Sequence, residues 1–477
     1  MNITHPIDED ALYLALDQGG HASRALVFNG QGEPVAQAVQ DIATTRNADC
    51  IEHDAEELIA SIIAAIANVA AQLGSATSQV LSAGLATQRS SIACWDKHSG
   101  VALSPIISWQ DRRAAAWLNR FAAHREHISH ITGLVMSPHY GASKLRWCLD
   151  HLPAVKEALA EGRLALGPLA SFLAFRLCHE RPMLCDPANA GRTLLWNIQH
   201  QDWDNSLLHL FGIPHSALPQ CVATRYDFGH IQLGNHRIPL QIVTGDQSSA
   251  LFAQGACQPD SAYVNVGTGA FVLRIAHHRI DTHGKLLSSV AYQDDTKIVY
   301  ALEGTVNGAG SAISWLEASD GLLNIAAHGE SWFTQPRSEL LFLNGISGLG
   351  SPFWLANFPS QFLGTGTTVE KALAIMESVI FLLKTNLDEM AQHLKPPNNI
   401  VISGGFSALT GFCQRLADLC DVPIYRPTIT EATAKGTACL LANLPNWRAT
   451  GTWFYPNSDP ALPHAYQRWL EAMRLLV

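Results

Sequence analysis

One stretch, Tyr13–Phe28, constrains the chain more than any other: it reads YLALDQGGHASRALVF. Two apolar runs, Tyr13–Leu16 and Ala25–Phe28, flank a polar centre that holds Asp17, Gly19, Gly20, Ser23 and Arg24. That is the pattern of a strand, a turn and a strand. Adjacent glycines permit a turn with positive φ and, lacking Cβ atoms, let an anion approach main-chain N–H groups. An aspartate closing the first strand beside such a turn suits a hydrated Mg²⁺. Alone, the stretch also fits an ordinary hairpin with a polar tip. A second copy, YVNVGTGAFVLRI at Tyr263–Ile275, turns at Gly267-Thr268-Gly269. Two glycine-tipped hairpins predict two related halves facing one phosphate site. No G-x-x-x-x-G-K-[ST] loop occurs, and each glycine turn leads into a strand, which excludes a P-loop and a Rossmann fingerprint.

The bulk numbers narrow the partners. With 47% apolar and 15% charged residues, the 477-residue chain can bury large cores. A net charge of −10 without any basic run argues against nucleic acid. Ten scattered cysteines, none in a C-x-x-C pair, read as reduced thiols in a cytoplasmic protein. The 21 histidines show no metal-binding spacing. The polar, acidic start MNITHPIDEDA does not read as a signal peptide. The apolar run Leu58–Leu73 is interrupted by Ser61, Asn68 and Gln72. It reads as a buried-face helix, too short for a membrane span, with Asp54 and Glu57 as its capping box.

Along the chain, strands and helices alternate in an α/β pattern. Strands are expected at 33–40, 80–86, 91–95, 105–108, 239–244, 298–302 and 400–403, and helices from 56, over 368–393, 410–420 and 432–442. The third from 114 to 220 reads as mainly helical. Ala256–Pro259 reads as a domain boundary, dividing the chain into 1–255 and 256–477.

Several blocks resemble a known family. LALDQGGHASRALVF, ATQRSSIACWD, IISWQDRR, DPANAGRTLLWNIQHQDWD, TGDQSSALFAQ, NVGTGAFVL, ALEGTVNGAGSAISWL and ISGLGSPFW occur in the family's order over residues 11–445. The chain resembles the FGGY carbohydrate kinases, closest to glycerol kinases, within the actin, hexokinase and heat-shock-70 ATPase fold group. The resemblance implies a two-domain actin-like (ribonuclease H-like) ATPase fold with duplicated βββαβαβα cores and an interdomain cleft. It places substrate and the first phosphate loop on domain 1–255 and nucleotide on domain 256–477. It also implies ATP and Mg²⁺, a small polyol or sugar acceptor, and a homodimer, common in the family.

Phosphoryl transfer needs a bridging metal, donors to the phosphates, alignment and a base for the acceptor hydroxyl. Asp246, at a strand end before a helix, is the expected base and a metal ligand, although its position also suits a helix cap. Asp17 is the expected Mg²⁺ ligand, with Gly19, Gly20, His21 and Arg24 near the γ-phosphate. Gly267 and Thr268 are expected at the β- and γ-phosphates. Gly310, Ser314, Gly404, Gly405 and Phe406 are expected along the nucleotide. Arg89 and Gln247 match polyol-contacting positions, and Trp109 is either an apolar wall or plain core. The pattern breaks in places. Gly20 and His21 stand where the family has two hydroxyl residues, Ser90 follows Arg89 where glycerol kinases carry a glutamate, and His139 beside Tyr140 takes an aromatic contact position. Hydrogen bonds to charged groups are worth about 1.5–3 kcal/mol, so these changes point away from glycerol toward another polyol or a ketose. The alternative is a degenerate kinase that binds nucleotide or sugar without turnover.

Overall fold

A computed structural model describes residues 11–321, 324–428, 431–443, 447, 450–457 and 460–476. The first hairpin forms as its apolar runs require. Leu12–Gln18 pairs antiparallel with Ala22–Phe28, which pairs with Pro34–Asp41. Parallel crossovers then add Val80–Thr87 beside Leu12–Gln18, and His236–Gly245 beside Val80–Thr87. The antiparallel strand His230–Leu233 completes a six-stranded sheet. Gln18, Thr87 and Gly245 lie in register. The carboxyl ends of the three central parallel strands therefore stop at one line, the edge where open α/β sheets hold ligands.

The helix Ala55–Leu73 makes the crossover from the third strand to Val80–Thr87. Asp54 caps it, accepting the N–H groups of Glu56 and Glu57 at 2.9 and 2.8 Å. Glu57 does not complete a capping box, because its carboxylate turns to the Ala43 N–H at 2.9 Å. With its short continuation to Gln79, this helix is long and apolar enough to cross a membrane by length and composition. Its apolar stripe, Leu58, Ile59, Ile62, Ile66 and Val69, is instead buried in the first core with the sheet.

The second half repeats the design. Ser261–Val266 and Ala270–Ala276 form the second hairpin, extended by Ile298–Val306 and Leu287–Gln293. Asn399–Ser403 and Ile424–Pro427 add in parallel, and Gly451–Phe454 closes the seven-stranded sheet. The helix Thr368–Met390 has the capping box between Thr367 and Glu370, and nearly all of its middle turns are buried. The sequence reading left the final helix, Ala461–Arg474, unassigned. It buries Leu462, Ala465, Tyr466, Trp469 and Met473 in the second core.

A smaller five-stranded sheet, built from Thr45–Asn47, Cys50–His53, Ile92–Asp96, Ile106–Ile107 and Leu164–Pro168, sits within the first half. The helix Gly141–His151 packs on it and shares its core. The halves are stitched where the helix Asp246–Ala250 meets the helix Ala432–Leu441. Ser249 Oγ donates to the Thr433 carbonyl at 2.9 Å and bonds Thr437 Oγ1 at 2.8 Å.

Candidate active site

The three aligned strand ends deliver three polar groups. Asp17 is the penultimate residue of the first strand, Arg89 lies two residues beyond Thr87, and Asp246 follows Gly245. Asp246 is the first residue of its short helix, with Gly245 as the cap, and its carboxylate accepts the Gln247 N–H at 2.7 Å. Burial raises the Asp246 pKa above the ordinary carboxylate value, against the opposing pull of Arg89. Arg89 Nε lies 3.9 Å from Asp246, and Arg89 also donates to Gln247 Oε1. Gly245 makes this approach possible: a Cβ there would lie 2.4 Å from Arg89 Cδ.

Asp17 is buried, and burial followed by the nearby Asp246 raises its pKa to about 7. Arg24 opposes the shift from 3.9 Å and also faces Glu431, at 3.6 Å, from the second half. Two neighbouring carboxylates, each destabilised by burial, are hard oxygen donors that fit a Mg²⁺ ion. Asp17 and Asp246 are the residues that would hold it.

The acceptor side is built from side chains. Trp109 and His139 meet edge to face at 5.3 Å, and His139 meets Tyr140 at 5.2 Å. Burial, then the charges of Lys144, Arg192 and Arg89, holds the His139 pKa well below its ordinary value, so the ring is neutral. Ser90 is buried, with its hydroxyl unpaired among the described residues. Behind these lies a network absent from the sequence reading. Glu303, from the second half, accepts from Arg89 at 3.4 Å, and also from Arg192 and Ser289. Burial alone would raise the Glu303 pKa, but Arg192 and Arg89 outweigh it and hold the carboxyl at about 2. The signal was present: Glu303 and Arg192 are charged residues inside otherwise apolar blocks, VYALEGTV and NAGRTLLW.

The nucleotide side is built from backbone. The carbonyls of Gly267 and Thr268 accept from Gly310 and Ala309 at the start of the helix Gly310–Asp320, at 2.9 and 3.0 Å. A Cβ on Gly310 would lie 2.9 Å from the Gly267 carbonyl oxygen. Gly404, at φ 89°, rests on the Val266 backbone, so the 404–405 turn joins the second hairpin tip. Gly405 borders open space, Thr268 is exposed, and Ser314 is exposed one turn into its helix.

Several expectations change in detail. The Gly19 N–H donates to the Ala22 carbonyl at 3.0 Å and the Gly267 N–H to the Gly269 carbonyl at 2.8 Å. Both amides therefore shape their turns instead of facing a phosphate. Gly20 lies half-buried over Gln88, whereas His21 projects outward at the tip. The Phe406 ring is buried against Phe412 at 5.5 Å, so it belongs to the core and leaves only its backbone for a nucleotide.

Fold and site together define a carbohydrate kinase, a phosphotransferase acting on a polyol or sugar, with the actin-like ATPase fold. The family model for the N-terminal domain of the FGGY family of carbohydrate kinases matches residues 12–253, and that for the C-terminal domain matches 262–443. The chain belongs to the FGGY family of carbohydrate kinases. It is 35% identical over 437 residues to glycerol kinase 1 of Pseudomonas aeruginosa, covering 89% of this chain and 88% of that protein. It is 33% identical over 485 residues to the glycerol kinase of Ectopseudomonas mendocina, covering 97% and 98%. Among solved structures, Plasmodium falciparum glycerol kinase with ADP superposes with a TM-score of 0.88 at 22% identity, over 98% of each chain. A xylulose kinase from Brucella ovis gives 0.86 at 21% identity, over 98% of this chain and 99% of that one.

Proposed function

We propose that this chain transfers the γ-phosphoryl group of ATP to a hydroxyl of a small polyol or ketose other than glycerol. The observation that carries this reading is Asp246, a half-buried carboxylate beside Arg89 and Gln247 at the sheet's ligand edge. A general base must lie within reach of the acceptor hydroxyl, and the groups expected to hold that acceptor surround Asp246. Asp246 takes the proton of the acceptor hydroxyl as its oxygen attacks the γ-phosphorus. Arg89, a fork of donors, and Gln247 hold the neighbouring hydroxyls. Trp109 and the neutral His139 cover the carbon chain. The glycine tips let the backbone pass close to the phosphates, and Arg24 offsets their charge near Asp17. Asp17 and Asp246 would hold Mg²⁺, which would neutralise phosphate charge. Ser90, a neutral residue that both donates and accepts, supports an acceptor with a different hydroxyl pattern from glycerol.

The experiment is ADP release with Mg·ATP across glycerol, longer polyols, pentuloses and heptuloses. One preferred acceptor other than glycerol supports the reading. Equal turnover of glycerol overturns the specificity, and nucleotide binding without turnover of any acceptor points to the binding-protein alternative favoured by the altered Gly20-His21 tip.

A further inference from the structure

Lys144 is 1% exposed, in the helix Gly141–His151. A buried ammonium is costly unless it is paired. This one donates instead to two backbone carbonyls, Ser90 O at 2.8 Å and His139 O at 2.7 Å. Burial brings its pKa down to about 7, against the weaker pull of Asp111. Asp111 itself is already engaged by the Arg113 guanidinium through Nε at 2.9 Å and Nη2 at 2.7 Å.

The two carbonyls belong to two segments that the kinase reading places at the acceptor, the Arg89–Ser90 turn and His139. Ser90 has φ 66°, in the left-handed region that a serine adopts at a cost. That twist follows Arg89 directly, and the Ser90 hydroxyl is buried without a partner among the described residues. His139 carries the ring that stands on Trp109. The same helix holds a third segment. Its first amides, Gly141 and Ala142, donate to the carbonyls of Arg192 and Thr193 at 3.2 and 2.7 Å. Arg192 Nε is also buried without a partner among the described residues. One helix thus gathers the backbones of three segments, and two of their side chains, Ser90 and Arg192, hold polar atoms unmatched among the described residues. Unmatched buried polar atoms in a native site mark where a ligand or water bonds.

We infer that Lys144 is a positioning residue for the acceptor, holding the strained Ser90 turn against the His139 segment so that the Ser90 hydroxyl meets a hydroxyl of the polyol. This rests on the kinase reading above and adds a specificity-setting contact to it. Lys144 touches no reacting atom; it acts through the two carbonyls.

The test separates the contact from the scaffold. Ser90→Gly removes the hydroxyl and keeps a residue at ease with positive φ. It is expected to raise the acceptor KM about tenfold, the loss of one hydrogen bond, with the ATP KM within about twofold. Lys144→Met keeps the length and removes the donors. It is expected to raise the acceptor KM at least as far, and the double variant to lose less than the product of the two single effects, because both act on one contact. An acceptor KM unmoved by Ser90→Gly overturns the inference. So do fully multiplicative effects, or a lowered melting temperature in Lys144→Met with the acceptor KM unchanged. If Lys144→Met does not fold, Lys144→Gln, whose amide still donates to one carbonyl, carries the same comparison. Acceptor-induced melting shifts repeat the comparison without turnover. A wild-type chain that binds an acceptor but never phosphorylates it counts against the kinase reading alone.

Discussion

The two faces of the cleft are made in opposite ways. The face expected to take the nucleotide holds Gly267, Thr268, Gly310 and Gly404, and at Gly310 and Gly404 the chain comes close because Cβ atoms are missing. The face proposed for the acceptor holds Arg89, Ser90, Trp109, His139, Gln247 and Asp246, braced by Arg192, Glu303 and Lys144. Phosphates are alike in every kinase, and glycine turns leave them room without regard to side chain. Acceptors differ in their hydroxyls, and only side chains distinguish these. The departures from the family pattern that bear on the acceptor, Ser90 and His139, fall on the side-chain face. Substitutions should therefore act on one substrate or the other according to the face they touch.

The largest effect should come from Asp246→Asn. It removes the base while keeping size and hydrogen bonding, and should lower kcat by about 10²–10⁴. ADP release measured beside a nucleotide-induced melting shift checks this; the shift should persist.

Glu303→Gln comes next, because it strips the charge that Arg89 and Arg192 share across the halves. Breaking a buried pair costs about 3–5 kcal/mol, and Gln retains part of the bonding, so the low end is expected. The pH dependence has a definite sign. The folded pKa of about 2 lies below the ordinary 4.5. The stabilisation is present above about pH 4.5 and is lost as pH falls toward 2. Denaturant melts from pH 7 to pH 3 should show the wild-type advantage shrinking in acid.

A matched pair of glycines sharpens the contrast. Gly310→Ala crowds the Gly267 carbonyl and Gly245→Ala crowds Arg89, from 2.9 and 2.4 Å. Overpacking costs about 1–3 kcal/mol, so each should raise a KM by about fivefold or more. Gly310→Ala should raise that for ATP, and Gly245→Ala that for the acceptor. The same shift in both variants would erase the distinction between the faces.

The smallest effect should be His21→Ala. The ring is exposed at the tip, and surface changes usually fall within about 0.5 kcal/mol, so steady-state kinetics should show less than about a threefold change.

Both hairpins, the crossover helix and the helices at 368–390, 410–420 and 432–441 could be read from apolar period and turn residues. Those signals are local. The short strands at 45–53 carried too little pattern to read. The C-terminal helix went unassigned although its apolar spacing from Leu462 to Met473 is regular. In the site, Asp17 is legible as a carboxylate at a strand end beside a glycine turn, whereas Asp246, whose position alone also suits a helix cap, and Arg89 take their expected roles from the family resemblance. Glu303 and Arg192 are not legible as a pair in the sequence, since the charges that Glu303 pairs with lie more than a hundred positions away and no spacing rule links them. The burial of the Phe406 ring is hidden for the same reason: only the folded core shows that it meets Phe412.

One measurement tests the central claim most directly. The purified chain is given Mg·ATP with and without each acceptor, and ADP and the phosphate monoester are counted together by ³¹P NMR. The account predicts ADP and ester in equal amounts, only with acceptor present, and neither in Asp246→Asn. ADP formed without an acceptor, or an ester formed equally well by Asp246→Asn, would contradict it.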